Sequence, residues 1–68
     1  MIVYSVMFYR PETGDEWLEG PWPESWQANN HAAENNTDCK RTVIRWQMLN
    51  ATTVDKYDAP DSPGEVKP

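Results

Sequence analysis

The chain has 68 residues, with eleven acidic and six basic side chains and a formal net charge of −5. A domain of about 60 residues buries only ~60% of its unfolded surface, so we expect one small domain that needs dense aromatic packing or a partner for stability. The acidic balance disfavours a conventional nucleic-acid binder and a protein that docks on anionic membranes, because both depend on Lys and Arg. It favours a partner with a basic protein surface.

The residue types that build metal, cofactor and nucleophile sites are scarce. Cys39 is the only cysteine and His31 the only histidine, so the chain can form neither an internal disulfide nor a four-ligand zinc site. About two helical turns, or ~12 Å, would separate these two residues, which is too far for activation of the thiol. Asp55, Asp58 and Asp61 lack the alternate spacing, the glycine and the closing glutamate of a calcium loop. The sequence therefore predicts no cofactor, no metal and no enzyme activity.

Localisation is predicted from the hydropathy of the chain. No apolar run approaches the ~18 residues that a membrane-spanning helix needs. The first residues, Met-Ile-Val-Tyr, lack the basic start of a secretion signal and lead directly into a strand pattern. We therefore expect a cytoplasmic protein with a reduced cysteine, in which the sequons at Asn35 and Asn50 are not glycosylated.

The predicted elements begin with a strand at residues 2 to 9, Ile-Val-Tyr-Ser-Val-Met-Phe-Tyr, which is rich in β-branched and aromatic residues. Turn formers occupy residues 10 to 15. A short second strand at residues 15 to 19 can fold back on the first as a hairpin. Gly-Pro-Trp-Pro at residues 20 to 23 is expected to end regular structure, because two prolines lack amide donors.

A helix is expected after the prolines. Ser25 is a good N-cap for residues 26 to 35. Ala28, Ala32 and Ala33 form a narrow stripe that would let this helix lie close to a sheet. Its asparagines give it a poor intrinsic propensity, so tertiary contacts must hold it, and residues 36 to 38 should end it.

Two further strands complete the predicted fold. The first covers residues 42 to 49, where Ile44, Trp46 and Met48 alternate onto one face. Residues 52 to 57 are expected to form a short edge strand, because charged side chains there discourage unwanted pairing.

The order ββαβ(β) predicts an α+β domain over residues 1 to 57, in which one helix covers a small antiparallel sheet. Residues 58 to 68 contain three prolines, one glycine and several charges, and we expect them to form a disordered tail.

Acidic and aromatic residues are concentrated around the predicted hairpin. Residues 12 to 24 contain five carboxylates and no basic residue. Three of the four tryptophans, at positions 17, 26 and 46, fit core positions, whereas Trp22 lies between two prolines and suits an interface anchor. The acids would steer association with a basic partner. The predicted partner-binding residues are therefore Glu12, Asp15, Glu16, Glu19 and Trp22, and the alternative is a solvated loop.

In size, acidity and element order, residues 1 to 57 resemble the small acidic proteins with which bacteriophages inhibit host enzymes, including inhibitors of host RNA polymerase and anti-CRISPR proteins. The resemblance implies a non-enzymatic protein that binds and blocks a larger host protein, such as a nucleic-acid-processing enzyme. The double-stranded-RNA-binding domain has a similar outline, but residues 24 to 36 contain two glutamates and no base, so we reject that interpretation.

Two alternative functions stay open. One is a structural or homo-oligomeric assembly protein that uses an exposed strand edge and an apolar patch. The other is weak nucleic-acid binding through the basic residues Lys40, Arg41 and Arg45, which would weaken steeply with salt.

Overall fold

The computed structural model describes residues 1–35 and 39–59. Its elements, in chain order, are strand β1 (Ile2–Arg10), strand β2 (Asp15–Trp22), helix α1 (Ser25–Glu34), strand β3 (Lys40–Gln47) and strand β4 (Thr52–Asp58). The strands form one antiparallel sheet in the order β2-β1-β3-β4. The predicted α+β class and the order ββαβ(β) are confirmed.

The core lies between α1 and one face of the sheet. Val6 and Phe8 of β1 and Val43 of β3 are buried there, and the small side chains of Ala28 and Ala32 pack against them. Both alanines are fully buried and Ala33 is nearly so, which confirms the predicted alanine stripe. Because the alanine side chain is small, the backbone of the helix can approach the strands closely enough to bury the core side chains of β1 and β3.

Helix α1 begins with Glu24 as its N-cap, one residue before the predicted Ser25. The side-chain oxygen of Gln27 accepts a hydrogen bond from the backbone N–H of Glu24 at 3.1 Å. This is the backward bond of a capping box, which satisfies a donor at the start of the helix. The predicted cap was wrong because Gln27 stands three residues after Glu24 and selects that position.

Strand β2 continues to Trp22, although the sequence predicted an end at Glu19. Proline is tolerated in a strand at the edge of a sheet, where its missing N–H faces away from the neighbouring strand. Because β2 is an edge strand, Pro21 does not end the pairing. The peptide bond between Gly20 and Pro21 is cis.

A β-bulge in β2 sets the direction of its last residue. Val6 pairs with Glu19, but Tyr4 pairs with Trp22, so β2 has one residue more than β1 between these two pairs. The extra residue returns Trp22 to the face of the sheet that α1 covers, where it packs against the core cluster. Gly20 has φ +111° at this point, a conformation that favours glycine.

Trp46 is not part of the core cluster, so the predicted core position was wrong. It is half-buried on the other face of the sheet, where its indole N–H donates to the hydroxyl of Ser5 at 3.0 Å. β1 has two apolar faces, and the face of β3 that α1 covers carries Arg41 and Arg45 beside Val43, so alternation alone does not say which face a helix covers. Met48, which was expected on the same strand face, lies exposed in the turn after β3.

Asp58 and Ala59 continue the sheet beyond the predicted domain boundary at residue 57. Asp58 pairs with Thr42, and the backbone N–H of Ala59 donates to the carbonyl oxygen of Arg41 at 3.0 Å. The rest of the predicted tail, from residue 60 onward, lies outside the described residues, as does the predicted end of the helix at residues 36 to 38.

Candidate interaction surface

Within the described residues, α1 packs over β1, β2 and β3 on one face of the sheet only. The strand registers place a second set of apolar side chains on the opposite face. We call this set the open face, and its members are Val3, Met7, Tyr9, Leu18, Ile44 and Trp46. Val3 is buried among its neighbours, Met7, Ile44 and Trp46 are half-buried, and Tyr9 and Leu18 are exposed. Exposed apolar patches on a protein surface often mark interaction sites.

The centre of the open face is a shallow depression of about 190 Å³. Its lining is almost entirely apolar and consists of Ser5, Leu18, Ile44, Trp46, Ala51 and Thr53. The side chain of Leu18 is 57% exposed beside it. The hydrogen bond from Trp46 to the buried hydroxyl of Ser5 holds the indole in one orientation. A fixed aromatic ring suits a binding surface, because little conformational entropy is lost when it is covered.

The predicted acidic residues are distributed over both faces of the hairpin. Glu16 pairs with Tyr9 and therefore lies on the open face, next to Leu18. Asp15 pairs with Arg10 at the start of β2, and Glu12 lies in the turn. All three carboxylates are exposed and together occupy the hairpin end of the sheet.

Glu19 lies on the face that α1 covers and bonds to residues of the same chain. One carboxylate oxygen accepts a hydrogen bond from Nε2 of His31 at 2.5 Å, and the other accepts one from the indole N–H of Trp17 at 2.9 Å. The hydrogen bond from His31 and then that from Trp17 lower the pKa of Glu19 below its ordinary value. Because His31 belongs to α1 and Glu19 to β2, the contact between these two side chains connects the helix to the edge strand.

Trp22 lies in an aromatic cluster on the same side. Its ring is 4.7 Å from that of His31, and His31 meets the ring of Phe8 edge-on at 6.1 Å. Phe8 in turn stacks on Trp17 at 5.3 Å, and the guanidinium of Arg10 covers Trp17 at 5.4 Å. Trp22 is therefore a half-buried residue at the end of a strand, where the sequence suggested a loop residue.

The structure confirms a packing role for Trp17, whereas Trp26 is only half-buried and lies outside the core cluster. That Glu19 and Trp22 contact a partner stays a prediction, but both already have contacts within the chain.

A polar cleft near these residues is small. Its volume is about 210 Å³, and it is lined by Phe8, Arg10, Trp17, Glu19, Asn35 and Cys39. Ligand pockets commonly measure roughly 300–1,000 Å³. Among residues 1–35 and 39–59, no group of three His, Cys, Asp or Glu side chains is arranged to hold a metal ion.

The three basic residues of the predicted nucleic-acid site do not form one patch. Lys40 pairs with Tyr9 and lies on the open face, whereas Arg41 and Arg45 lie on the face that α1 covers. The Arg41 guanidinium donates to the carbonyl oxygen of Ala32 at 2.6 Å, and Arg45 forms an ion pair with Asp55 at 2.9 Å. Strand alternation therefore separates side chains that are close in sequence.

The sequence suggested an apolar patch for an assembly protein but did not locate it on this face of the sheet. The sequence of β1 indicated this face, because Val6 and Met7 lie on opposite faces and both faces are apolar. Only one helix was predicted, and it can cover only one of the two faces. A single helix covers one face of a sheet, so an apolar second face has to meet another partner or solvent.

Helix α1 is the helix in the described part of the chain, and it is too short and too polar to cross a membrane. No family model, curated protein or solved structure matches the chain.

Proposed function

We propose that this chain is a small non-enzymatic binding protein that docks onto a larger protein through its open face and thereby modulates or inhibits it. The observation that carries the proposal is an apolar sheet face with no covering layer in the described residues. Leu18 and Trp46 at its centre are the contact residues, and Glu12, Asp15 and Glu16 favour basic side chains around the contact.

The size of the sheet supports a docking surface of ordinary dimensions. The two longer extents of the molecule are 34 and 28 Å. The outline of the molecule is therefore large enough to include the ~800 Å² that each partner contributes to a standard protein interface. Complete burial of a leucine side chain stabilises by roughly 1.5–3 kcal/mol, so covering the exposed part of Leu18 contributes on the order of 1 kcal/mol.

The acidic hairpin end supports a basic partner. Exposed charges at the rim of an interface raise the rate of association and make it sensitive to salt. A surface that normally holds nucleic acid has the required charge, and a protein that covered it would block the partner. We place this interaction in the cytoplasm of a host cell, as the resemblance to phage inhibitors implies.

The test is a comparison of two aspartate substitutions of equal charge. Leu18→Asp places a carboxylate at the centre of the open face, whereas Leu49→Asp places one in the turn after β3, where the leucine is 88% exposed. Each purified, immobilised variant is incubated with extract of the cells in which the protein acts, and retained proteins are quantified by mass spectrometry. We expect a partner that the wild type and Leu49→Asp retain and that Leu18→Asp loses.

The expected loss is about tenfold or more in affinity, because a buried, unpaired carboxylate is costly. Glu19→Gln is a second control, since its side chain points to the other face. A partner that Leu18→Asp retains but Glu19→Gln loses would contradict the open face as the binding surface.

A further inference from the structure

The two edges of the sheet differ in their ability to pair with another strand. At the β2 edge, a bulge and Pro21 interrupt the strand. At the other edge, β4 has a bulge at Val54, but its pairing with β3 is regular from Asp55 to Asp58. All seven residues of β4 are exposed, and α1 packs mainly on β1, β2 and β3. Prolines and bulges protect an edge from pairing, so the regular segment of β4, residues 55 to 58, is the part of the two edges that remains competent.

The outward backbone groups of β4 follow from its pairing with β3. The backbone N–H of Ala59 donates to the carbonyl oxygen of Arg41, so residue 59 directs its peptide groups toward β3. In an antiparallel pair this direction alternates along the strand. Tyr57 therefore also faces β3, whereas Lys56 and Asp58 direct both N–H and C=O away from the sheet.

The side chains at these two positions have opposite charge and share one face. Lys56 pairs with Ile44 and Asp58 pairs with Thr42, which places both on the side of the open face. Between them, Tyr57 lies on the other side opposite Val43 and is 39% exposed, and its hydroxyl donates to Asn29 of α1 at 3.0 Å.

We propose that β4 pairs antiparallel with β4 of a second copy of this chain, about a two-fold axis that passes beside Tyr57. In this register Lys56 stands opposite the partner's Asp58, and Asp58 opposite the partner's Lys56. Each of these pairs exchanges two backbone hydrogen bonds, because the peptide groups of both residues point outward. The backbones of the two tyrosines face each other at the axis, while each ring leans toward its own α1, and the opposite-charge pairs stabilise the sheet.

Charge selects this register over its neighbours. A shift of the second copy by two residues in one direction places Lys56 opposite the partner's Lys56. A shift in the other direction places Asp58 opposite the partner's Asp58. Like charges directly opposite one another destabilise an antiparallel pair. The lysine also disfavours pairing with unrelated strands, so the same residues restrict the edge to its own copy.

The edge contact leaves the open face uncovered, so this inference is independent of the proposed function. A two-fold axis perpendicular to the sheet keeps the open faces of both copies on the same side. The product is a continuous eight-stranded sheet with two copies of the apolar surface.

Charge reversal and charge exchange test the proposed pair. Sedimentation equilibrium between about 10 µM and about 1 mM gives the dimer dissociation constant, in the range expected for a small interface. Lys56→Glu and Asp58→Lys should each weaken the dimer by about tenfold or more, since each creates two like-charge pairs. The double variant Lys56→Glu/Asp58→Lys restores opposite charges and should return to within about threefold of the wild type.

The design separates local pairing from overall charge. Lys56→Glu makes the net charge more negative and Asp58→Lys makes it less negative, while the double variant keeps −5. Circular dichroism of each variant checks the fold. A monomer throughout the concentration range would overturn the inference. So would a dimer that tolerates both single substitutions, or two single variants that change affinity in opposite directions.

Cross-linking gives a second measurement that locates the axis. Residues opposite one another in a non-hydrogen-bonded pair have Cβ atoms about 4.5–5.5 Å apart, close enough for a disulfide after small adjustments. On mild oxidation, Tyr57→Cys should therefore form a disulfide that joins the same position of the two copies, as identified by peptide mapping, and Thr53→Cys should not. Cross-linking at position 53 alone would contradict the register.

Discussion

Replacement of Gly20 by alanine should destabilise the fold through two separate effects. Gly20 has φ +111°, and a Cβ added there would lie 2.9 Å from two ring atoms of Trp22 and 3.3 Å from the Cα of Ser5. Gly14 in the hairpin turn provides the matched control, because it has φ +81° but no atom within 4 Å of an added Cβ. Gly14→Ala therefore measures backbone strain alone, whereas Gly20→Ala adds a collision with a ring that is packed on His31.

The expected loss of stability is larger for Gly20→Ala than for Gly14→Ala. A non-glycine residue in the left-handed region costs roughly 1–2 kcal/mol, which is the expected loss for Gly14→Ala. Overpacking adds typically ~1–3 kcal/mol, so Gly20→Ala should lose about 2–5 kcal/mol. At roughly 0.05–0.15 kcal/mol per residue, a chain of this length is stable by only about 3–10 kcal/mol. With about 4–8 °C per kcal/mol, Tm should fall by ~10 °C or more for Gly20→Ala.

Urea unfolding followed by tryptophan fluorescence measures both losses in the free energy of unfolding. The Gly20→Ala native state should also show an altered tryptophan emission, because Trp22 has to move. Equal losses for the two variants, or a smaller loss for Gly20→Ala, would refute the packing of the bulge against Trp22.

Three further predictions concern other contacts. The pKa of Glu19 is lowered below 4.5 in the folded state, so the ionised carboxylate stabilises the fold above pH ~4.5. This stabilisation is lost as the pH falls through the lowered pKa. Below pH ~4.5 the urea midpoint of the wild type should therefore fall more steeply than that of Glu19→Gln. Ser5→Ala removes the acceptor for the Trp46 indole and should cost about 1 kcal/mol in urea unfolding, and no loss would contradict that hydrogen bond. Ala32→Leu should lower the free energy of unfolding by about 1–3 kcal/mol, and an unchanged Tm would contradict close approach of the helix.

Local sequence patterns predicted the elements that depend on local signals. The apolar run of β1, the alternation in β3 and the alanines at positions 28, 32 and 33 identified two strands and the buried face of a helix. These predictions succeeded because strand and helix periodicities are properties of neighbouring residues.

The long-range features of the site could not be predicted from local sequence patterns. β2 continues through Pro21 because it is an edge strand, and strand order is not a local property. The bulge that turns Trp22 toward His31 depends on how β2 pairs with β1. The pair formed by Glu19 and His31 joins residues twelve positions apart on different elements. Both faces of β1 are apolar, so the sequence did not show which face the helix covers.

Hydroxyl-radical footprinting of the protein with and without its captured partner tests the proposed binding surface most directly. If the partner binds the open face, oxidation of Met7, Leu18 and Trp46 should fall when it binds, because these side chains become covered. Oxidation of Trp17 and Trp22 should stay the same, since both pack on the side of α1. Protection of Trp17 and Trp22 with unchanged oxidation of Leu18 and Trp46 would contradict the account.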